Sequence, residues 1–311
     1  MLAILNITAP IFMVMGLGFC AVRLAWFKLE ELQGAAKFVM RVGLPALVFY
    51  AVTAKPLHEV FDPIYMLGYG GATLTAFMVG WLLGRVGRRQ DGVAAALSGF
   101  AMSFSNTGFI GYPLLVMVIG VSEAGRYLAM NAILENVLVL PLFFVLVDAA
   151  KQRGQGIWVT IKGILWNLGK NPIILAMALA LVFAVGEIPV PTVLVKVTTM
   201  LSQAAAPVAL FVIGGGLAGL SVRGSVSDMV LLALGKLVLF PILVTVGLWL
   251  AGADRQMMFV GALLASVPMA SMFPLLAAQY GYAHRGAATM LLTTILSFIS
   301  ISLVLFLGHT V

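Results

Sequence analysis

Long apolar segments recur along this chain, and they limit the folds that it can adopt. Ten segments have the roughly 20 mostly apolar residues that a membrane-crossing helix needs. Hydrocarbon cannot satisfy exposed backbone N–H and C=O groups, so each crossing segment must be helical. Only 9% of the residues are charged, against about 25% in a typical soluble domain. The sequence therefore predicts an all-α integral membrane protein, with the lipid bilayer as its surroundings.

The predicted spans also give an orientation. They cover residues 3–23, 33–54, 64–84, 91–119, 124–147, 165–186, 191–220, 228–251, 255–280 and 285–308. Because ten is even, both termini lie on the same side. Most of the 18 Lys and Arg residues fall in the odd-numbered connections, which the positive-inside rule makes cytoplasmic. We therefore expect a multi-pass protein of the cytoplasmic (inner) membrane with both termini outside. Basic residues scattered over short loops also argue against a nucleic-acid partner.

Two proline motifs repeat at one spacing. Pro10 in TAPIF matches Pro172 in KNPII, and Pro45 in LPALVF matches Pro207 in APVALF. Both 172 minus 10 and 207 minus 45 give 162. The two halves of the chain are therefore predicted to be structural repeats.

The polar connection at 149–164 separates these repeats and is expected to be cytoplasmic. It follows a first five-helix repeat at 1–148 and precedes a second at 165–311. Since five is odd, the two repeats must have opposite orientations in the membrane. Inverted repeats of this kind are common in secondary transporters.

The fourth and ninth spans are interrupted by residues that break helices. The fourth contains SFSNTGFIGYPL at 103–114, and the ninth contains ASVPMASMFPLL at 265–276. The spacing of 162 equates Asn106 with Pro268, so the two breaks occupy equivalent places. Paired breaks in two repeats indicate a midplane substrate site, because half-helix ends carry partial charges that attract ions. Purely structural kinks are the alternative, since proline and glycine are common in membrane helices.

These motifs resemble the auxin efflux carrier family of secondary transporters. SFSNTGFIGYPL is similar to the fourth helix of that family, with Asn-Thr followed by Gly-x-Pro. LPALVF at 44–49 and AAAPVALFVIGGGL at 204–217 are similar to its second and seventh helices. The likeness covers essentially the whole chain. The long central loop of plant members is missing, so the chain resembles the compact microbial branch, with its malonate and organic-anion permeases.

The resemblance implies a fold with crossed broken helices 4 and 9, related to bile-acid transporters and sodium/proton antiporters. Spans 1, 2, 6 and 7 would form a scaffold, which is also the candidate homodimer contact, and the other spans a moving transport domain. It implies alternating-access transport of an organic anion, such as a dicarboxylate or an auxin-like acid. Asn106 matches the crossover asparagine that contacts the substrate carboxylate, and Pro268 matches the ninth-helix crossover.

Residues around the breaks are the candidate substrate-binding residues: Asn106, Ser105, Thr107, Gly108, Pro268 and Gln279. The Asn106 amide can donate to a carboxylate without placing a fixed charge in lipid. Ser105 and Thr107 either coordinate an ion or cap a half-helix. Gly108 allows helices to cross closely. Gln279, just after the second break, is a candidate for lining the pathway.

Three further polar residues lie inside predicted spans, and they are the candidates for coupling to a proton or a sodium ion. Glu135 lies near the middle of the fifth span, with Asn131 one turn before it. Burial of a carboxylate is costly, so Glu135 is either a proton carrier or a structural hydrogen-bonding group. Lys236 lies inside the eighth span. It pairs with Glu135, binds the anion, or snorkels toward the cytoplasmic face.

Motifs of other functional classes are missing from the sequence. It has no H-E-x-x-H, no G-x-S-x-G and no G-x-x-x-x-G-K-S/T, which argues against an enzyme or a nucleotide-driven pump. No cofactor is predicted, and the histidine spacing does not suit a metal. Secondary transport is therefore the favoured function. An anion channel or a non-transporting membrane receptor is the alternative, and saturable counterflow distinguishes a carrier from both.

Overall fold

The computed structural model describes residues 2–54, 61–151, 162–163, 166, 169–219 and 226–309. This described part is helical, and its one β-type contact is an isolated bridge between Ser105 and Met269. The predicted all-α class is therefore confirmed. The helices used below are α1 (Leu2–Arg23), α2 (Leu29–Thr53), α3 (Pro63–Gly87), α4 (Gly92–Ser103), α5 (Thr107–Ile119), α6 (Val121–Ala150), α7 (Pro172–Val185), α8 (Thr192–Ala218), α9 (Val226–Leu250), α10 (Arg255–Ala265), α11 (Phe273–Gln279) and α12 (Ala283–His309).

Six helices in the described part are long and apolar enough to cross a membrane: α2, α3, α6, α8, α9 and α12. Shorter apolar helices include α4, α5, α7 and α10. The helix breaks between α4 and α5 and between α10 and α11 fall within the predicted fourth and ninth spans. Most of the predicted connection at 149–164 lies outside the described residues.

Among the described residues, four helices contain a π-helical segment that ends two residues before a proline. The segments are Val39–Gly43 before Pro45, Thr107–Gly111 before Pro113, Leu134–Val139 before Pro141, and Gly235–Leu239 before Pro241. Proline donates no backbone hydrogen bond and its ring clashes with the carbonyl group four residues earlier. A wider turn lets the helix continue past that obstacle. Glu135 and Lys236 each lie in one of these segments, and π-helical bulges are frequent at functional sites.

Contacts between helices divide the chain into two compact units. Unit 1 consists of Met1–Asp62, Thr107–Ile133 and Asn167–Gly219, and unit 2 of Pro63–Asn106, Leu134–Trp166 and Leu220–Val311. Each unit takes segments from both predicted repeats, because helices of one half pack on helices of the other. The predicted scaffold spans 1, 2, 6 and 7 all belong to unit 1, which also includes α5 and the first part of α6.

In unit 1, α1 and α8 approach each other closely because glycines lie at their contact. A Cβ atom added to Gly214 would lie 1.8 Å from the carbonyl oxygen of Met15. One added to Gly18 would lie 2.0 Å from the carbonyl oxygen of Phe211. Both obstacles are backbone atoms, so a side chain at either position requires the helices to separate.

We expect Gly214→Ala to destabilise unit 1, by about 1–3 kcal/mol for a methyl group forced into a packed contact. Gly216→Ala is the matched control on the same helix, because a Cβ atom there meets nothing within 4 Å. Alanine there should favour the helix by up to about 1 kcal/mol. Melting temperatures of the purified variants measure the difference. Equal melting temperatures would contradict the close approach of α1 and α8.

The core of unit 2 is built around the Phe100 ring. Its centroid lies 4.7 Å from that of Phe104, 5.3 Å from that of Phe143 and 6.3 Å from that of Phe273. All four side chains are buried. Phe104 lies in the first helix break and Phe273 begins the helix after the second. The aromatic core therefore holds both breaks in place.

Candidate functional site

The two broken segments begin alike and end for different local reasons. Asp91 caps the N-terminus of α4, and Asp254 caps that of α10, each accepting hydrogen bonds from backbone amides of the first turn. α4 ends where Phe104 adopts an extended conformation, with φ −100° and ψ 116°. α10 ends shortly before Pro268, which lacks an N–H donor and disfavours a helical residue before it.

The residues between the half-helices pair with each other in unit 2. The backbone amide of Asn106 donates to the carbonyl group of Pro268 at 2.9 Å. The backbone amide of Ala270 donates to the carbonyl group of Phe104 at 3.1 Å. These bonds satisfy polar backbone groups that lipid would leave unpaired.

This pairing gives a spacing of its own between the two breaks, beside the spacing of 162 that equates Asn106 with Pro268. A local two-fold axis exchanges the two hydrogen bonds, and it equates Asn106 with Ala270. Both 270 minus 106 and 268 minus 104 give 164, whereas the proline motifs gave 162. Two more residues separate Pro207 from Ala270 than separate Pro45 from Asn106. Pro268 lies at the second break as predicted, and directly opposite Asn106.

Lys236 is fully buried in unit 2. Its Nζ atom donates to Ser105 Oγ at 2.7 Å and to the carbonyl oxygen of Ala265 at 2.8 Å. The same atom lies 4.4 Å from the centroid of the Phe240 ring, and Glu135 attracts the ammonium electrostatically. The snorkelling alternative for Lys236 is therefore wrong, because α9 directs the side chain into polar partners inside the protein.

Side-chain donors satisfy the carbonyl groups at the C-terminal end of α10. The pairs are Ser105 with Leu264 at 3.0 Å, Lys236 with Ala265 at 2.8 Å, and Ser300 with Ser266 at 3.1 Å. A helix has no backbone donors for its last carbonyl groups, and this end carries a partial negative charge. A buried cation is therefore electrostatically favourable at this position.

Glu135 is 8% exposed and lies in the π-helical segment of α6. It interacts electrostatically with Lys236 and with Tyr69, and the buried Tyr69 also lies beside Ser105. Sequence reasoning missed Tyr69, because a tyrosine in a glycine-rich apolar span gives no signal of burial next to a carboxyl group. The pairing of Glu135 with Lys236 was one of the predicted alternatives.

Asn106 has a side-chain donor at the break without a partner in the described part of the chain. Its side chain is 3% exposed, and its Nδ2 atom has no hydrogen-bond partner among the described residues. Its Oδ1 atom accepts a long hydrogen bond of 3.5 Å from Ser271, which sequence reasoning also missed. A buried donor without a partner costs about 1–3 kcal/mol. A ligand with an acceptor oxygen would remove that cost.

The structure brings five predicted site residues together in unit 2: Ser105, Asn106, Pro268, Glu135 and Lys236.

The other predicted site residues lie elsewhere. Unit 1 contains Thr107, Gly108 and Asn131. Asn131 donates to the carbonyl group one turn earlier in its own helix at 3.0 Å. Gln279 is the exposed last residue of α11, at the end of that helix farther from the break. Among the described residues, no three His, Cys, Asp or Glu side chains gather to hold a metal ion.

A second polar cluster lies at the starts of α4, α9 and α12 in unit 2. Arg285 Nε lies 2.6 Å from Asp228 Oδ2, and Arg285 also donates to Ser98 Oγ at 2.8 Å. Gln90 donates to Asp228 Oδ1 at 3.0 Å. The pair is mostly buried, with side-chain exposures of 13% for Arg285 and 12% for Asp228. Sequence analysis treated Arg285 as a topology charge only.

Tyr282 extends this cluster by donating a hydrogen bond to the Asp91 carboxylate. Burial raises the pKa of Asp91, but this bond and those from the amides of Val93 and Ala94 outweigh it and hold the pKa below its usual value. Burial, together with the same carboxylate, raises the pKa of Tyr282 to about 12. The phenol therefore stays protonated at neutral pH and remains a donor.

Similar proteins cover almost the whole chain. The family model described as "Membrane transport protein" matches residues 3–305. The "Putative malonate transporter" of Rhizobium meliloti (strain 1021) is 31% identical over 314 residues, which cover 99% of this chain and 96% of that protein. The "Uncharacterized transporter YfdV" of Escherichia coli (strain K12) is 23% identical over 295 residues, covering 93% of this chain and 92% of that protein.

Proposed function

Because this chain belongs to the membrane transport protein family, the auxin efflux carrier family that its helix-break motifs resemble, we propose that it is a secondary transporter of an organic anion. Family membership and the apolar helices make it a multi-pass membrane transport protein. In its finer form, the proposal is that the substrate is a small dicarboxylate and that the protein moves it across the cytoplasmic membrane by alternating access. It is supported by the malonate named for the relative that is 31% identical.

The proposed topology has ten transmembrane helices in two inverted repeats, at 1–148 and 165–311, with both termini outside. In it, α4 with α5 and α10 with α11 are the broken fourth and ninth helices. The antiparallel pairing of the two breaks supports this topology, because inverted repeats bring their discontinuous helices together near the membrane midplane.

The free Nδ2 donor of Asn106 carries the proposal for the substrate site. Ser105 is already used, since it donates to Leu264 and accepts from Lys236. A carboxylate has only acceptor oxygens, so it complements a buried amide donor. Asn106 would then bind the substrate, with Thr107, Gly108, Pro268 and the more distant Gln279 as the remaining proposed contacts. Glu135, Asn131 and Lys236 remain the proposed coupling residues.

Counterflow of labelled malonate in proteoliposomes tests this site. We expect Asn106→Asp to weaken substrate binding by about 10- to 100-fold, because it replaces the donor with an acceptor and, when ionised, repels the anion. Asn171→Asp is the matched control. Asn171 caps α7 by accepting from the amides of Ile173 and Ile174, and aspartate caps a helix equally well.

The possible results separate the parts of the proposal. Saturable counterflow that is lost in Asn106→Asp and retained in Asn171→Asp supports both the carrier and its site. Counterflow that survives Asn106→Asp removes the site assignment and keeps the carrier. If no mono- or dicarboxylate in a panel shows counterflow, the organic-anion proposal fails. A large single-channel current would favour the channel alternative.

A further inference from the structure

The C-terminal end of α10 creates a demand for positive charge inside unit 2. Its last carbonyl groups point away from helical N–H donors, and they concentrate the negative end of the helix dipole in a buried position. Water is the usual partner of such groups at a protein surface. Here the partners of Leu264 and Ala265 are the Ser105 hydroxyl and the Lys236 ammonium.

The Lys236 ammonium has few donors left for another ligand. It carries three N–H donors, of which one reaches Ser105 Oγ at 2.7 Å and one reaches the Ala265 carbonyl oxygen at 2.8 Å. The opposite charge of Glu135 and the face of the Phe240 ring also act on it. This environment suits a resident cation better than a group that must bind and release an anion in each transport cycle.

The oxygens around Nζ are of the kind that bind monovalent cations in transporters with broken helices. Such proteins coordinate sodium with unwound carbonyl groups and with the C-terminal ends of half-helices. The Ala265 carbonyl is such a group, and Ser105 lies in the unwound segment after α4. Hydroxyl, carbonyl and carboxylate oxygens are all hard ligands.

We infer that the Lys236 ammonium occupies a latent monovalent-cation site, replacing a sodium ion with a covalently attached charge. The inference deepens the proposed transport function. Its consequence for ion coupling rests on that proposed function. Transport by the natural protein then needs no sodium. Shortening the lysine exposes the Ser105 and Ala265 oxygens near the charge of Glu135, and the vacated space admits a sodium ion.

Thermal unfolding of purified Lys236→Ala, in sodium chloride or in choline chloride at equal ionic strength, tests this site without any transported anion. We expect sodium to raise the melting temperature of the variant by about 3–6 °C when sodium exceeds its Kd by about ten- to a hundredfold. The natural protein should melt at the same temperature in both salts. Choline is too large to enter the vacated space.

Two variants control for general salt effects and for the identity of the ligands. Lys196→Ala removes an exposed lysine of α8 and should respond to the two salts as the natural protein does. Adding Ser105→Ala to Lys236→Ala removes one ligand oxygen, and it should reduce or abolish the response to sodium.

Each result supports or overturns the inference. An equal melting temperature of Lys236→Ala in both salts overturns it, and so does a natural protein that sodium stabilises. A variant that folds only in sodium supports it. If the variant folds in neither salt, the melting temperature of the natural protein decides the test. The inference requires that this temperature is the same in sodium chloride and in choline chloride. Absence of counterflow with every acid would instead contradict the transport proposal. It would not change the expected stabilisation of Lys236→Ala by sodium.

Discussion

Glu135→Gln is expected to lower the free energy of unfolding by about 3–5 kcal/mol, because it leaves a buried ammonium without its opposite charge. Lys236 has no exposed surface and Glu135 has 8%, so water cannot replace the lost carboxylate. Glu123→Gln is the matched control. Glu123 forms a partly exposed ion pair with Arg126 at 3.5 Å, and such pairs contribute about 0–1 kcal/mol. Chemical unfolding in detergent micelles measures both variants.

A double variant separates loss of this charge pair from loss of packing. Lys236→Met removes the ammonium and keeps most of the side-chain volume. Glu135→Gln combined with Lys236→Met should therefore be more stable than Glu135→Gln alone, since no uncompensated charge remains. Simple addition of the two single effects would show that the residues do not interact, and it would contradict the pairing.

Asp228→Asn is expected to destabilise the protein by about 3 kcal/mol, because it leaves the mostly buried guanidinium of Arg285 without its carboxylate. The 2.6 Å contact between Arg285 Nε and Asp228 Oδ2 joins the starts of α9 and α12. Gln90, before α4, also donates to this carboxylate. One substitution therefore weakens the attachment of three helices.

Asp254→Asn is the control for this second change. Asp254 caps α10 by accepting from the amide of Met257 at 2.7 Å, and asparagine performs the same capping role. Its melting temperature should match that of the natural protein, while that of Asp228→Asn falls by several degrees. If both variants have the same melting temperature as the natural protein, the Arg285–Asp228 pair contributes nothing measurable to stability.

The sequence predicted helices and breaks well because their causes are local. Runs of apolar residues specify helices wherever backbone groups must be satisfied internally. The extended residues around Asn106 and the end of α10 before Pro268 follow from helix-breaking residues at those positions. Family resemblance then identified Asn106, and the structure gives that residue a buried donor without a partner in the described part.

Sequence reasoning was weaker wherever the answer depends on residues far apart in the chain. The Lys236 ammonium contacts Ser105, 131 positions away, and nothing in the eighth span distinguishes that contact from snorkelling. The pair of Asp228 and Arg285 joins the starts of α9 and α12, and the charge of Arg285 was assigned only to topology. The spacing of 162 measured at the prolines and the spacing of 164 given by the paired breaks differ by two residues, so the exact repeat equivalence at the breaks stays a prediction.

In the proposed alternating-access cycle, the Lys236 charge would return with the protein after every delivery, because it is covalently attached to α9. A diffusible coupling ion crosses the membrane and leaves, so its gradient supplies work to each cycle. An attached ammonium makes no net crossing and supplies none. Without a proton carried on Glu135, the electrical work would then depend on the charge of the cargo alone, about 2.3 kcal/mol per elementary charge at 100 mV. An interior-negative voltage would drive a dianion outward with twice that energy.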